Sequence, residues 1–589
     1  MATFASWAEG RTQDKFSDYE IKNPDEEEQT IGIGALVDKI ESEPQEGNVE
    51  YKFMLVDPTE ERLQHLVTQM QWRLNEGNGE AFYAIGVEDD GTCTGLSEEQ
   101  LLASLNTMKR MTELCVCDMT LLQRRKARKG WVAEVLVRRR AAEGDFIDMR
   151  IAVVGNVDSG KSTLVGVLTS GKLDNGRGLS RSQVFRHRHE AESGRTSSVS
   201  HHVIGFSAGG DLINHTSLHP KTCPEIVRES SKVVTFVDLA GHEKYIKTTV
   251  YGMTGSVPDY TMVVVGANMG VQRMTREHLG VALALKCATY FVITKIDMSP
   301  EHVLQNTMHD LTRIIKAPGI RRIPLVVQTE ADVVSAAKAM GSGARIAPIF
   351  KISNVTGEGM QLLHLWLNLL PSQKEEDTQT RNELPQFHID DTFAVAGVGA
   401  VVGGTLMRGH VSLKSNLLLG PDSHGKFMPV QLKGIMNKSL AVNGARAGQS
   451  VTLALKKIKR AQVRKGMVLV DAGLNPKACM RFEAEIVVLH HATTISTNYQ
   501  PVVHSLTVRQ ASRVVAMAAE SIRTGDRTSV TFEFLFRPEF LVAGANLLFR
   551  EGRTKGIGRI TVLHHIDGTT TNFGAQPEQP ASPPTEMAQ

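Results

Sequence analysis

The octapeptide Gly155-Asn156-Val157-Asp158-Ser159-Gly160-Lys161-Ser162 sets two glycines ahead of a lysine and a hydroxyl, the G-x-x-x-x-G-K-[ST] pattern of a phosphate-binding loop. A candidate strand at 150–154 precedes it and a helical run at 163–168 follows, the setting in which such a loop holds phosphate. Backbone N–H groups from Gly155 to Gly160 are expected to wrap the phosphates, with the positive end of the helix behind them. Lys161 then neutralises charge on the β- and γ-phosphates, and the Ser162 hydroxyl ligates Mg²⁺. This loop by itself leaves ATP and GTP equally open.

Later stretches separate the two. Thr294-Lys295-Ile296-Asp297 follows a candidate strand and presents a carboxylate whose two oxygens match the N1–H and exocyclic amine of guanine, donors that adenine lacks at those places. Ser353-Asn354-Val355 ends the next strand but one and supplies backbone N–H groups for guanine O6. Asp238-Leu-Ala-Gly241 ends another strand, where Asp238 can hold magnesium through water and Gly241 lies beside the phosphates. In this order and spacing the four stretches predict a GTPase that takes GTP to GDP with Mg²⁺.

These residues need a scaffold, and the pattern around them supplies one. Short β-branched runs at 150–154, 232–237, 261–265, 289–294, 324–327 and 349–352 alternate with helical stretches, as a mostly parallel sheet with crossover helices requires. The expected organisation is multidomain: an acidic flexible segment over 1–46 containing Asp25-Glu-Glu-Glu28, a small α/β appendix over 47–146, and an α/β P-loop domain over 147–370. A polar linker over 371–385, with Lys374-Glu-Glu-Asp377, leads to two β-barrel domains over 386–474 and 475–568, and a proline-rich tail occupies 569–589.

Composition narrows the class further. Lys and Arg number 66 against 64 Asp and Glu, a net charge of +2, which excludes a globally basic nucleic-acid coat. The 589 residues are 41% hydrophobic and 22% charged, ordinary for globular chains. Six cysteines are too few to staple domains of this size. No stretch reaches the ~18 apolar residues of a membrane span, so a cytoplasmic location with no membrane partner is expected.

Asn156-Val-Asp-Ser-Gly-Lys-Ser-Thr163 and Asp238-Leu-Ala-Gly-His-Glu-Lys-Tyr245 resemble motifs of translational GTPases of the elongation factor Tu type. More narrowly, Leu173-Asp-Asn-Gly-Arg-Gly178, Glu192-Ser-Gly-Arg-Thr-Ser-Ser-Val199 and Lys244-Tyr-Ile-Lys-Thr-Thr-Val-Tyr-Gly-Met-Thr-Gly255 resemble the GTP-binding protein 1 and 2 branch. Phe387-His-Ile-Asp-Asp-Thr-Phe-Ala-Val-Ala-Gly-Val-Gly399 and Phe549-Arg-Glu-Gly-Arg-Thr-Lys-Gly556 are similar to parts of the family's two barrels. The resemblance implies a GTPase that works on the ribosome and delivers aminoacyl-tRNA to the A site in translation elongation. Two rivals share the same domains: a carrier of a release-factor-like protein in ribosome rescue or mRNA surveillance and decay, and a GTP-regulated binding scaffold.

The resemblance also implies roles at matching positions. His242 stands where the family histidine orients the attacking water, and Asp158 where an aspartate can hold K⁺ or Na⁺ beside the γ-phosphate. Where the family's first switch has Arg-Gly-Ile-Thr, this chain has Arg195-Thr-Ser-Ser198, which puts Ser198 at the magnesium-reaching threonine with hydroxyls also at neighbouring Thr196 and Ser197. Three basic stretches suit either an RNA surface or ordinary surface chemistry: Arg124-Arg-Lys126 with Arg128-Lys129, Arg186-His-Arg-His189, and Lys456-Lys-Ile-Lys-Arg460, the last read as RNA contact or protected edge strand.

Overall fold

The computed structural model describes residues 39–574 except 41, 141–145, 216–220, 318, 374–382, 492 and 553. The acidic run Asp25–Glu28, the linker run Lys374–Asp377 and the prolines from Pro577 onward therefore lie outside the described residues. The chain forms two compact units. One holds the N-terminal and P-loop regions with residues 436–451, and the other holds the rest of the chain from Glu383.

The N-terminal region is a four-stranded sheet with two helices. Its strands are β1 (Val49–Lys52), β2 (Glu80–Ile85), β3 (Cys117–Lys126) and β4 (Trp131–Arg139), in the order β1-β2-β4-β3, with β1 parallel to β2. Helix α1 (Glu60–Glu76) starts where the Thr59 hydroxyl accepts the Arg62 amide, and it buries Leu63, Leu66, Val67, Met70 and Leu74 along one helical stripe. Helix α2 (Glu98–Leu114) opens with a Ser97/Gln100 capping box. The basic stretch Arg124-Arg-Lys126 ends β3. Two of its cations are engaged locally: the Arg124 guanidinium lies 4.0 Å over Trp131, and Arg125 pairs with Glu134 at 2.7 Å.

The P-loop region is a seven-stranded sheet of β5 (Ile147–Gly155), β6 (Ser200–Phe206), β7 (Lys232–Asp238), β8 (Tyr260–Gly266), β9 (Ala288–Thr294), β10 (Ile323–Val326) and β11 (Ile346–Lys351), ordered β10-β11-β9-β8-β5-β7-β6. All neighbours are parallel except β6, which runs antiparallel on β7. Every residue of β7 and β8 is buried, as expected for strands covered on both faces by helices. Sequence periodicity missed β6 because Ser200, His201 and His202 interrupt its apolar pattern. In such a sheet ligands bind outside the carboxyl ends of the strands, and that is where β5, β7 and β9 deliver Gly155, Asp238 and Thr294.

A buried ion cluster ties the N-terminal sheet to this one. Glu80 on β2 accepts from the Arg138 Nε of β4 at 2.7 Å and from the Lys232 Nζ of β7 at 3.1 Å. Both cations also donate to the Asn368 carbonyl.

From Gln386 onward the chain forms two closed six-stranded barrels, each with one short extra strand. The first runs from Gln386–Val395 to Val468–Val470 and closes where Asn416–Gly420 pairs with Met428–Asn437. The second runs from Cys479–His490 to Thr554–His565, and these two strands pair to close it. Phe482 and Phe532 stack in its core, ring centroids 5.4 Å apart. Arg464 of the first barrel reaches the buried Glu539 of the second at 2.7 Å. Lys456 and Lys457 form a turn after strand Ser450–Leu455, and Arg460 starts a short 3₁₀ turn, so this run is not the edge strand that one reading expected.

Candidate nucleotide site

The phosphate loop is shaped by backbone that few residues tolerate. Gly155 has φ +149°, and a Cβ there would lie 2.2 Å from the Val264 carbonyl oxygen, so β5 can meet β8 this closely only with glycine. Asp158 is left-handed at φ +60° without being glycine. Gly160 is also left-handed and caps the helix α3 (Lys161–Ser170) with no side-chain hydrogen bond. The first amides of α3 are thus left for a ligand, and the alternating handedness makes a concavity of the kind that binds anions.

Lys161 is buried, and its ammonium donates to the Asn156 carbonyl at 2.6 Å. Burial pushes its pKa down to about 8, against the pull of the Asp238 and Asp158 carboxylates. Gly241 packs so closely that a Cβ would stand 2.5 Å from the Lys161 nitrogen and 2.8 Å from the Asn156 oxygen. His242 is half-buried and lines the same cleft as Lys161 and Thr196. Its Nδ1 accepts the Lys244 amide at 3.1 Å, which leaves the proton of the neutral ring on Nε2.

Three oxygens converge beside the loop. The Ser162 hydroxyl donates to Asp238 Oδ2 at 2.7 Å, and the Thr196 hydroxyl lies 2.7 Å from Ser162 Oγ and 3.5 Å from Asp238 Oδ2. Asp238 is fully buried, and its Oδ1 has no hydrogen-bond partner among the described residues. Burial lifts the Asp238 carboxyl to about 6, against the lowering effects of Ser162 and Lys161. An orphaned buried carboxylate oxygen beside two hydroxyls fits a hard cation such as Mg²⁺.

Ser198 does not take part in that cluster. Its amide and hydroxyl both donate to Glu190 Oε1 at 3.0 Å, turned away from Ser162, and Thr196 occupies the place that alignment gave to Ser198. The reason is local: Glu190 is buried and collects the Ser197 and Ser198 donors, so the turn they form leaves Thr196 as the hydroxyl facing Asp238. Of the neighbouring basic stretch, Arg186 donates to the Val199 carbonyl and His189 lies 2.8 Å from the Ser197 hydroxyl, so both help to hold this segment.

The base side is built from the ends of β9 and β11. Thr294 Oγ1 donates to the Ser159 carbonyl at 2.7 Å, which fastens this corner to the phosphate loop. Lys295 is left-handed at φ +63°. Ser353 Oγ donates to Asp297 Oδ1 at 2.7 Å and accepts the Val355 amide at 3.1 Å. The Val355 N–H is therefore engaged within its own turn. The Asn354 carbonyl accepts the Asp174 amide, linking the base corner to the loop after α3. Sequence reasoning gave Glu190 and Asp174 no role and named Thr196 only as a neighbouring hydroxyl beside Ser198. Glu190 sits in the charged run Arg188-His-Glu-Ala-Glu192, which carries no sign of burial.

A loop of phosphate-binding pattern, a buried carboxylate beside two hydroxyls and a candidate base corner lie at one sheet edge, with two closed barrels following, and this is the arrangement of a GTPase of the translation-factor class. Residues 148–372 match the family described as "Elongation factor Tu GTP binding domain". The chain is 49% identical over 519 residues to "GTP-binding protein 1" of Xenopus laevis, covering 88% of this chain and 79% of that one. Against "GTP-binding protein 2" of Homo sapiens it is 46% identical over 534 residues, covering 89% and 88%. It belongs to the family of GTP-binding proteins 1 and 2, within the translational GTPases of the elongation factor Tu type, and its G domain binds and hydrolyses GTP. The crystal structure of a bacterial selenocysteine-specific elongation factor shares the fold at TM-score 0.51 and 18% identity, over 70% of this chain and 58% of that one. No described helix is long and apolar enough to cross a membrane.

Proposed function

We propose that the GTP-bound protein carries aminoacyl-tRNA to the ribosomal A site and hydrolyses GTP there. The observation that carries this reading is the pair of closed barrels following an elongation factor Tu GTP-binding domain, the domain order of a solved elongation factor. Phosphate is taken by the amides from Gly155 to Gly160 and by Lys161, and Gly241 lies against that lysine. Guanine is read by Asp297, held in place by Ser353, while Thr294 and Lys295 shape its loop. Because the Val355 amide is already engaged, the Asn354 amide is the donor for guanine O6. Ser162 and Thr196 would hold Mg²⁺ directly and Asp238 through water, and an ion held there would neutralise charge on the phosphate oxygens. Asp158, exposed at the loop's tip, is the group that would take K⁺ or Na⁺.

The Asp297→Asn variant tests the base assignment. It replaces an acceptor by a donor facing the guanine amine, so GTP affinity is expected to fall by at least about tenfold while xanthosine triphosphate gains. Competition titration of the two nucleotides reads this directly, and parental GTP affinity contradicts it.

The carrier reading is tested by protection of the aminoacyl ester. Ordered switches hold a composite tRNA surface that is lost after hydrolysis, so ester decay should be slower with a non-hydrolysable GTP analogue than with GDP. A tenfold difference in tRNA affinity needs only about 1.4 kcal/mol between the two states. Equal decay with both nucleotides, at protein well above micromolar, favours a release-factor-like protein as cargo.

A further inference from the structure

Glu190 is a carboxylate buried in a segment of otherwise exposed charge. It belongs to the short helix Arg188–Ser193 and receives hydrogen bonds from both sides. Oε2 accepts the amides of Arg186 and His187 at 3.0 and 3.1 Å. Oε1 accepts the amide and hydroxyl of Ser197 at 2.7 and 2.8 Å, and both donors of Ser198 at 3.0 Å. The two peptide units that follow Thr196 are thus pinned to one oxygen. On the other side, Arg181 reaches the Gly194 carbonyl at 3.5 Å. Thr196 is the residue held between these anchors, with its hydroxyl on Ser162 and within 3.5 Å of Asp238.

We propose that Glu190 is a positioning residue for GTP hydrolysis: it fixes the turn Arg195-Thr-Ser-Ser198 so that Thr196, and not either serine, faces the magnesium side of the γ-phosphate. This rests on the reading above that Thr196 is the magnesium-side hydroxyl. The carboxylate form suits the task because it accepts from every side and donates to none, whereas the six groups around it are all donors. Charge-assisted bonds of this kind are about twice as strong as neutral ones. Such a turn is ordered by the protein's own carboxylate as well as by nucleotide, so less ordering remains to be supplied when GTP binds. GDP lacks the γ-phosphate that this hydroxyl would face, so the effect of Glu190 should fall on the GTP state.

The test compares Glu190→Ala, Glu190→Gln, Thr196→Ala and the double variant Glu190→Ala/Thr196→Ala in the full chain, with GDP affinity, GTP-analogue affinity and ribosome-stimulated kcat measured for each. Glu190→Ala is expected to lower GTP-analogue affinity and kcat by roughly 10- to 100-fold, the range of a lost supporting contact at a metal site, with GDP affinity unchanged. Glu190→Gln should fall between parent and alanine, since its single oxygen can still serve the serines while its amide opposes the Arg186 and His187 donors. The double variant should be no worse than Thr196→Ala, because both substitutions act through one hydroxyl.

An equal loss of GDP and GTP-analogue affinity would overturn the proposal, because that is the mark of a merely structural role. Multiplying effects in the double variant would overturn it too. Parental hydrolysis by Glu190→Ala beside a crippled Thr196→Ala removes the Glu190 role alone. Parental hydrolysis by Thr196→Ala removes the magnesium-side assignment and the Glu190 role with it. Should Glu190→Ala not fold, Glu190→Gln and the Ser197→Ala/Ser198→Ala pair carry the same comparison.

Discussion

His242→Ala is expected to slow ribosome-stimulated GTP hydrolysis by about 10²- to 10⁴-fold while leaving GTP and GDP affinity near the parental values. The geometry separates the two effects. The ring lines the cleft without bonding to the phosphate loop, so ground-state binding does not depend on it. Its Nδ1 is filled by the Lys244 amide, so the neutral ring carries its proton on Nε2 and offers a donor to the attacking water. Such a group aligns water more than it deprotonates it. That matches phosphoryl transfer, whose loose transition state is reached mainly by alignment and charge stabilisation. Single-turnover hydrolysis on ribosomes, read beside equilibrium nucleotide binding, checks the prediction. Equal stimulated rates for parent and variant count against it.

Glu80→Ala is expected to destabilise the first unit by about 3–5 kcal/mol, the usual cost of stripping the counter-charge from a buried ion cluster. Glu80, Arg138 and Lys232 have side chains no more than 2% exposed, and Glu80 is the carboxylate shared by the two cations. Burial already pushes the Lys232 pKa down to about 8 in spite of Glu80, so removing Glu80 leaves an ammonium that must be neutralised or re-exposed. Arg138 has no neutral form available and would keep only its carbonyl and amide partners, at Ser207 and Asn368. Because the cluster joins β2 and β4 to the start of β7, the loss should appear as a lowered unfolding midpoint in urea for both sheets together. A midpoint within error of the parent contradicts the assignment. Glu80→Gln keeps the shape and should be affected less.

The candidate site residues were legible in sequence wherever the proposal rests on residue type at fixed local spacing. The loop from Gly155 to Ser162 is of this kind, since glycines, lysine and hydroxyl must be adjacent in the chain to act together. Asp238 and Asp297 were also legible, because each follows a buried β-branched strand that periodicity finds. What failed was the choice among Thr196, Ser197 and Ser198. Alignment favours Ser198, but the outcome depends on Glu190, a charged residue whose burial comes from donors seven and eight positions away in the chain. Local pattern carries no trace of such a contact. Strands β3 and β6 were lost for a related reason: each is an outer strand with a half-buried, polar-interrupted pattern, and pairing with a neighbour is what makes it a strand. The Glu80–Arg138–Lys232 cluster joins residues 58 and 152 positions apart, and only the packed structure reveals it.

We propose a GTPase that works on the ribosome with aminoacyl-tRNA as cargo. The most direct measurement is GTP hydrolysis by the full chain under four conditions: alone, with ribosomes, with ribosomes and uncharged tRNA, and with ribosomes and charged tRNA. Hydrolysis is expected to be slow alone, stimulated by ribosomes and fastest with charged tRNA, with that stimulated rate lowered by about 10²- to 10⁴-fold in His242→Ala. Ribosome stimulation that is indifferent to charged tRNA, or no stimulation at all, would contradict it.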